Sequence, residues 1–242
     1  KPKRNIIVVS AWPEVWTQNP DVSRFYAIGN TPYFYQDVIK DKDVEIYMQD
    51  PYKQTAHITK KKHLISNWCD MIGIKYSGEG LKLNFNFREI EEGGAYINQF
   101  NDGQKPMLLF QPFGGPGPDH QPHACYEFHP QLNNVHRFDK MIGKKALFSM
   151  VAHSQKRIFI DSSLQHAAAA LNLPSTVVWV ATQPKIFGYK TNNNITPKIE
   201  HANGTVDSYL YDYDFTGVIH QCPYGNLDEL HDVDVIVNSV LD

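Results

Sequence analysis

Cysteine is scarce in this sequence of 242 residues. Its three cysteines, Cys69, Cys125 and Cys222, are odd in number, widely spaced and not part of a Cys-x-x-Cys pair. This pattern argues against a disulfide framework and against a zinc site built on cysteine. Because nothing indicates an oxidising compartment, the Asn-x-Thr sequons at Asn194 and Asn203 carry little weight as glycosylation sites.

Long hydrophobic runs and an excess of basic residues are also missing. No apolar run approaches the roughly 20 residues that a membrane-spanning helix needs, and no secretory signal opens the chain, so we expect a cytoplasmic protein. The formal net charge is −3 and the pI is about 6.4. Since binding to nucleic acid without sequence preference requires a basic surface, this balance argues against a nucleic-acid partner.

Histidines are concentrated between residues 120 and 138, but not at metal-ligand spacing. His120, His123, His129 and His136 lie in a segment with the composition of a loop. A metal site needs ligands held on regular elements at short, fixed spacings, and this segment offers none. We therefore expect no metal ion.

What the sequence does contain is a series of apolar runs alternating with stretches of helical spacing. Strand patterns occur at residues 5–10, 22–28, 44–48, 81–87, 107–110, 158–160 and 176–180. Helical patterns occur at residues 59–74, 140–153 and 163–173, and from about 232 onward. Such alternation predicts an α/β fold with two Rossmann-like domains facing a cleft. The turn-forming segment 101–106 places the boundary between domains 1–102 and 103–242.

The stretch from 158 to 174 carries the clearest chemical signal. After a short apolar strand, Asp161, Ser162 and Ser163 offer oxygens at the position of a helix N-cap, and an alanine-rich helix follows up to Pro174. A helix N-terminus at a strand end binds anions, because its free N–H groups and the helix dipole favour negative charge. We expect a phosphate there, with His166 one turn inside the helix. From spacing alone, the commoner alternative is a structural βαβ crossover with a buried histidine.

These residues resemble the donor-binding signature of the family 9 glycosyltransferases, which include the ADP-heptose:lipopolysaccharide heptosyltransferases. The family pattern is approximately Asp-[Ser/Thr]-Gly-x-x-His-x-Ala-Ala-Ala-Leu-x-x-Pro. The matching residues are Asp161, Ser162, His166, Ala168, Ala169, Ala170, Leu171 and Pro174. The chain departs from the pattern at Ser163, where the family has glycine. A Cβ therefore stands where the backbone would approach the diphosphate.

The resemblance implies a GT-B fold and the transfer of a hexosyl or heptosyl group, without a cofactor, from a nucleotide-diphosphate-sugar donor. The acceptor would be a hydroxyl of a glycan or lipid-linked glycan, of the lipopolysaccharide type. The implied donor-binding residues are Asp161, Ser162, Ser163, Leu164, His166, Gln111, Phe113, Gly114, Thr182 and Gln183. Phe187 and Tyr189 follow in the same loop as Gln183, where they either stack on a base or pack under the loop.

One part of the family pattern has no counterpart in this sequence. The family begins with a strand and a Gly-rich loop carrying Gly-Asp, whose aspartate is thought to deprotonate the acceptor. The segment 5–10 resembles the second strand of the family instead, so we expect a first domain without its first βα unit and assign no catalytic base. The alternative function is a catalytically silent subunit for nucleotide-sugar binding or assembly.

Overall fold

The computed structural model describes residues 5–48, 50–58, 62–99, 107–111, 144–179, 183–198 and 229–241. These residues form a mixed α/β structure with two parallel β-sheets. Of the predicted segments, 120–138 lies outside the described residues. Among the helices described, none is long and apolar enough to cross a membrane.

The first sheet has two parallel strands near the start of the chain. Strand β1 (Ile7–Ser10) pairs with β2 (Arg24–Ala27), and Ile7 lies opposite Arg24. A 3-10 helix, Pro13–Trp16, begins the connection between them. The strands predicted at 5–10 and 22–28 are therefore confirmed.

The second sheet has four parallel strands in the spatial order β3-β4-β5-β6. They are β3 (Leu108–Phe110), β4 (Lys156–Ile160), β5 (Ser175–Val178) and β6 (Asn192–Ile195). The predicted strands at 107–110, 158–160 and 176–180 correspond to the first three. Because all four run in the same direction, their carboxyl ends meet at one edge, where open α/β sheets bind ligands.

Seven α-helices accompany the sheets in the described part of the chain. They are α1 (Thr55–Ile58), α2 (Leu64–Met71), α3 (Phe87–Asn98), α4 (Lys144–His153), α5 (Ser163–Ala170), α6 (Pro184–Phe187) and α7 (Val233–Leu241). A second 3-10 helix spans Pro51–Lys53 and a π-helix spans Tyr35–Ile39. The predicted helices correspond to α2, α4, α5 and α7. Helix α5 ends where Asn172 adopts a left-handed φ of 55° and the Leu173 N–H donates to the Ala168 carbonyl.

Two strand predictions are wrong. Residues 44–48 are not in a strand; they run without regular structure, with 91% of the Met48 surface exposed. Residues 81–86 also lack a strand, and Phe87 already belongs to α3. Alternation of apolar and polar residues also arises where an extended segment packs alternate side chains on a core, as Leu83 and Phe85 do here.

Helix α3 was missed from the sequence, although its start is well defined. The Asn86 side chain accepts from the Glu89 N–H at 2.8 Å, and the Glu89 carboxylate accepts from the Asn86 N–H at 2.9 Å. This reciprocal capping box satisfies two N–H groups that the first helical turn cannot satisfy by itself.

The main core lies between α3, α4, α5 and the second sheet. Its buried members are Ile97, Leu109, Phe148, Met150, Val151, Phe159, Leu164, Ala167 and Ala168. Helix α3 crosses α4 so closely that a Cβ on Gly93 would lie 2.4 Å from Ser149 Oγ. This core contains residues from both sides of position 102. The division into domains 1–102 and 103–242 stays a prediction.

Candidate functional site

The turn between β4 and α5 brings together three of the predicted site residues. Ser162 has extended backbone (φ −156°, ψ 178°) and caps α5, since its Oγ accepts from the Leu164 N–H at 3.4 Å. The Ser162 hydroxyl in turn donates to Oε1 of Gln111, which directly follows β3. Asp161 lies between β4 and this cap and is half-buried. Neighbouring strands thus bring Gln111, Asp161 and Ser162 to the same edge of the sheet.

Ser163 and Leu164, the next two predicted residues, differ in how far their side chains are buried. Ser163 is the first residue of α5 and is exposed, so its side chain lies at the helix N-terminus in contact with solvent. The Leu164 side chain is buried in the main core. The Leu164 side chain therefore serves packing, and its backbone N–H is the group that Ser162 caps.

Gln165 organises the inner side of the site, and sequence reasoning missed it. Its side chain is completely buried. Its amide Nε2 donates to Asp161 Oδ1 at 2.9 Å and to the Phe187 carbonyl at 3.3 Å, while its Oε1 accepts from Asn192 Nδ2 at 2.9 Å. Gln165 therefore fixes the Asp161 carboxylate and ties α5 to α6 and β6. The available signal was an amide in the first turn of α5, close in sequence to the aspartate that precedes the cap.

His166 is paired with Tyr189, the residue after Gly188 in the loop that follows α6. The distance from His166 Nδ1 to Tyr189 Oη is 2.7 Å, and the two rings meet edge to face at 5.5 Å. Burial lowers the pKa of His166, although the Asp161 carboxylate opposes this shift. Burial, together with Asp161, raises the pKa of the Tyr189 hydroxyl above its usual range. Both side chains are therefore neutral near pH 7.

A residue from the first half of the chain completes this cluster, and it too was missed. His63 caps α2, with Nδ1 accepting from the Ile65 N–H at 3.3 Å, and its Nε2 donates to the Gly188 carbonyl at 2.9 Å. Its ring also meets the Tyr189 ring at 5.7 Å. The contact joins residues 125 positions apart, which no local pattern encodes.

The two aromatic residues with alternative interpretations, Phe187 and Tyr189, both pack on protein. Phe187 stacks on Tyr52 at 6.5 Å, and Tyr189 lies against His63 and His166. Packing under the loop is therefore the interpretation that these contacts favour.

Of the four remaining predicted site residues, only Gln183 lies in the described part of the chain. The Gln183 carbonyl accepts from the N–H groups of Ile186 and Phe187, but its side chain does not cap α6. Phe113, Gly114 and Thr182 lie outside the described residues. Over the part of the chain that is described, no group of three or more His, Cys, Asp or Glu side chains is placed to hold a metal ion.

Comparison with known proteins connects this geometry to one fold. No protein-family model matches the sequence, and no curated protein does. Among solved structures, the chain is similar to one described as "The crystal structure of the glycosyl transferase family 9 from Veillonella parvula DSM 2008". The match has a TM-score of 0.58 and covers 96% of this chain and 95% of that chain, at 12% sequence identity. The chain has the fold of glycosyl transferase family 9.

This family 9 fold is the one that the residues at 161–174 resembled, so that prediction is confirmed at the level of the fold. In this chain the first signature residues, Asp161 and Ser162, lie between β4 and α5 at the carboxyl edge of the four-stranded sheet, and α5 then runs back toward the start of β5. At 12% identity the likeness establishes the fold alone.

Proposed function

We propose that this chain is a glycosyltransferase that moves a sugar from a nucleotide-diphosphate-sugar donor to a hydroxyl of a glycan or lipid-linked glycan. The observation that carries the proposal is the N-terminus of α5 at the carboxyl edge of a parallel sheet, in a chain with the family 9 fold. A helix end of this kind offers backbone N–H groups and a positive dipole end to a phosphate.

The proposed donor site combines this helix end with neighbouring side chains. The diphosphate would contact the backbone N–H groups at residues 162–164, with His166 donating from one turn further along α5. Gln111 would approach from the adjacent strand end, where it already bonds to Ser162. Gln183, Phe113, Gly114 and Thr182 are proposed to line the same site, as the family resemblance implies.

The proposed architecture is two Rossmann-like domains, 1–102 and 103–242, that face a cleft in the GT-B manner. His63 and Tyr52 from the first half meet Gly188 and Phe187 from the second, so the two halves are in contact beside α5. A donor bound at α5 would then lie beside the first half, where the acceptor is expected to bind.

The proposed chemistry is nucleophilic substitution at the anomeric carbon. The acceptor oxygen forms a bond to that carbon, the bond from the carbon to the diphosphate oxygen breaks, and the acceptor proton passes to a base that we do not assign. Negative charge grows on the departing diphosphate, so preorganised N–H donors at α5 stabilise the transition state more than the ground state.

The test is the release of nucleoside diphosphate from ADP-, UDP-, GDP- and CDP-linked sugars, with and without oligosaccharide acceptors. We expect release from one nucleotide class, lost in Ser163→Asp and retained in Ser163→Ala. Donor binding without release from any of them would instead favour a silent nucleotide-sugar-binding subunit. Neither binding nor release would contradict both functions.

A further inference from the structure

We propose that Tyr189 is a positioning residue for the donor site: its hydroxyl holds the His166 imidazole in the tautomer that carries the proton on Nε2. The inference rests on the proposed function, because His166 is the side chain assigned there to the donor diphosphate. Tyr189 would act through His166 and would not itself contact the donor.

The hydrogen bond between the two side chains determines which nitrogen carries the proton. A neutral imidazole has one N–H donor and one acceptor nitrogen, and the partner of one nitrogen decides the state of the other. Tyr189 Oη lies 2.7 Å from Nδ1 of His166. A phenol is a better donor than acceptor, so the Tyr189 O–H donates to Nδ1. The proton of the imidazole then lies on Nε2.

The surroundings keep both partners in the protonation states that this arrangement needs. Burial is the largest influence on each: it raises the pKa of Tyr189, which keeps its proton, and lowers the pKa of His166, which stays neutral. The groups facing His166 are Asp161, which favours its charged form, and His63, which disfavours it. Tyr52 and Tyr76 face Tyr189 and further disfavour its ionisation.

Tyr189 is held in place independently of His166. The preceding carbonyl, of Gly188, accepts from His63 Nε2 at 2.9 Å, and the Tyr189 ring lies against the His63 ring. Residue 188 has little alternative to glycine, because a Cβ there would lie 2.6 Å from the Pro184 carbonyl oxygen. His63 therefore fixes the backbone and the ring of Tyr189, and the Tyr189 hydroxyl is left to bond to His166.

The chemical consequence is an uncharged N–H donor beside the diphosphate site. Nε2–H can donate to a phosphate oxygen and strengthen that bond as charge develops during bond breaking. The opposite tautomer would present a lone pair to an anion, which is repulsive. Fixing the tautomer beforehand avoids reorganisation when the donor binds.

The experiment is NMR of the ring nitrogens in the full chain labelled with nitrogen-15 histidine, with His166 assigned by its loss in His166→Gln. In the nucleotide-free wild type we expect Nε2 of His166 protonated and Nδ1 accepting a hydrogen bond. Tyr189→Phe keeps the ring and removes the hydroxyl, so we expect a mixture of tautomers. The matched control is Tyr47→Phe, which removes an exposed hydroxyl bonded to Glu45 and should leave His166 unchanged.

Titration of the same samples with ADP, UDP, GDP and CDP measures the consequence for the donor. We expect one nucleotide to shift the Nε2 signal, and its affinity in Tyr189→Phe to fall in proportion to the fraction of His166 that no longer has its proton on Nε2, which is about twofold for an equal mixture of tautomers. A wild type with the proton on Nδ1, or a Tyr189→Phe protein with unchanged tautomer and affinity, overturns the proposal. The wild-type tautomer decides the matter even if the variant does not fold.

A third outcome separates this proposal from the proposed function. If His166 has its proton on Nε2 but none of the four nucleotides binds the wild type, the proposed function is contradicted. The donor role given to Tyr189 is then overturned with it, although the hydrogen bond itself is real.

Discussion

Gln165 shows how a single buried residue can organise this site. Its side chain is completely buried, yet its amide bonds to Asp161, to the Phe187 carbonyl and to Asn192. A buried amide is tolerated when its donors and acceptor are satisfied, because each unsatisfied group costs about 1–3 kcal/mol. The network therefore favours one packing arrangement of α5 against α6 and β6.

Replacing Gln165 with leucine should destabilise the protein by about 3 kcal/mol. Leucine is similar in size but leaves the Phe187 carbonyl and the Asn192 amide without their partner inside the protein. Urea unfolding measures the loss. Gln99→Leu is the control, since Gln99 is exposed at the end of α3 and the change there should stay within about 0.5 kcal/mol. Equal stability of the two variants would contradict the role given to Gln165.

At the scale of single residues, the sequence predicted the part of the site that is contiguous in the chain. The strand end, the cap and the helix start at Asp161, Ser162 and Ser163 could be predicted because capping oxygens between a strand and an alanine-rich helix form a local pattern. The pairing of His166 with Tyr189, and of His63 with Gly188, joins separate elements. Such contacts depend on how the elements pack, and no spacing rule encodes them.

Helix α3 illustrates why one element was not predicted. Gly93 and Gly94 look like a break in a helical pattern, since glycine costs about 1 kcal/mol relative to alanine in a helix. In the fold, Gly93 lets α3 lie against α4, where a Cβ would overlap Ser149. Packing between helices outweighs the local propensity. The wrong strand at 81–87 has a similar cause, because Leu83 and Phe85 pack on the core from a segment without regular structure.

Gly93→Ala should destabilise the protein by about 1–3 kcal/mol, in spite of the better helix propensity of alanine. The added Cβ would lie 2.4 Å from Ser149 Oγ and 2.6 Å from Ser149 Cβ, so the two helices must separate. Thermal or urea unfolding measures the change.

The neighbouring glycine provides the control for this substitution. The atoms nearest to a Cβ on Gly94 belong to the His153 ring, at 3.2 Å and beyond, and a side chain can move by a few tenths of an ångström. Gly94→Ala should therefore be neutral, or stabilising by up to about 1 kcal/mol through helix propensity. A Gly93→Ala protein as stable as Gly94→Ala would show that the helices are not in close contact.

The whole molecule should lose stability as the pH falls below about 6.5, the ordinary pKa of histidine. Burial lowers the folded-state pKa of both His166 and His231, and His231 Nε2 donates to the Trp179 carbonyl at 2.8 Å. Below about pH 6.5 these two histidines therefore bind protons in the unfolded chain but not in the folded chain, and this difference stabilises the unfolded state. Each histidine lowers the free energy of unfolding by at most about 1.4 kcal/mol per pH unit, until the pH reaches its folded-state pKa.

Urea unfolding at about pH 7.5 and about pH 5.5 tests this dependence. We expect a clear loss of stability in the wild type and a smaller loss in His231→Gln, whose amide can still donate to the Trp179 carbonyl. If the His231→Gln protein loses as much stability between the two pH values as the wild type does, His231 does not contribute to the pH dependence. Stability that rises toward the acidic condition would contradict the sign for both histidines.

For the whole molecule, the α/β class and the family 9 likeness were predictable, because buried parallel strands and the segment at 161–174 are local signals. The core that the two halves share was not predictable from the sequence. Ile97 precedes the predicted boundary and Phe148 follows it, yet both lie in one buried cluster. Long-range packing of this kind is decided by shape complementarity between elements, which the order of apolar residues alone does not specify.

The measurement that tests the central claim most directly is calorimetric titration with ADP, UDP, GDP and CDP, with and without magnesium. The comparison is between wild type, Ser163→Gly and Ser163→Asp. Ser163 is exposed at the first position of α5, so these changes leave the core intact, and aspartate there is favourable to the helix dipole by about 0.3–1 kcal/mol.

A nucleoside diphosphate bound at α5 should compete with a carboxylate for the same N–H groups. We predict that one nucleotide binds the wild type, binds Ser163→Gly at least as well, and binds Ser163→Asp at least about tenfold more weakly, although that variant is folded and no less stable. Equal affinity in wild type and Ser163→Asp, or no binding of any of the four nucleotides, would contradict a donor site at the N-terminus of α5.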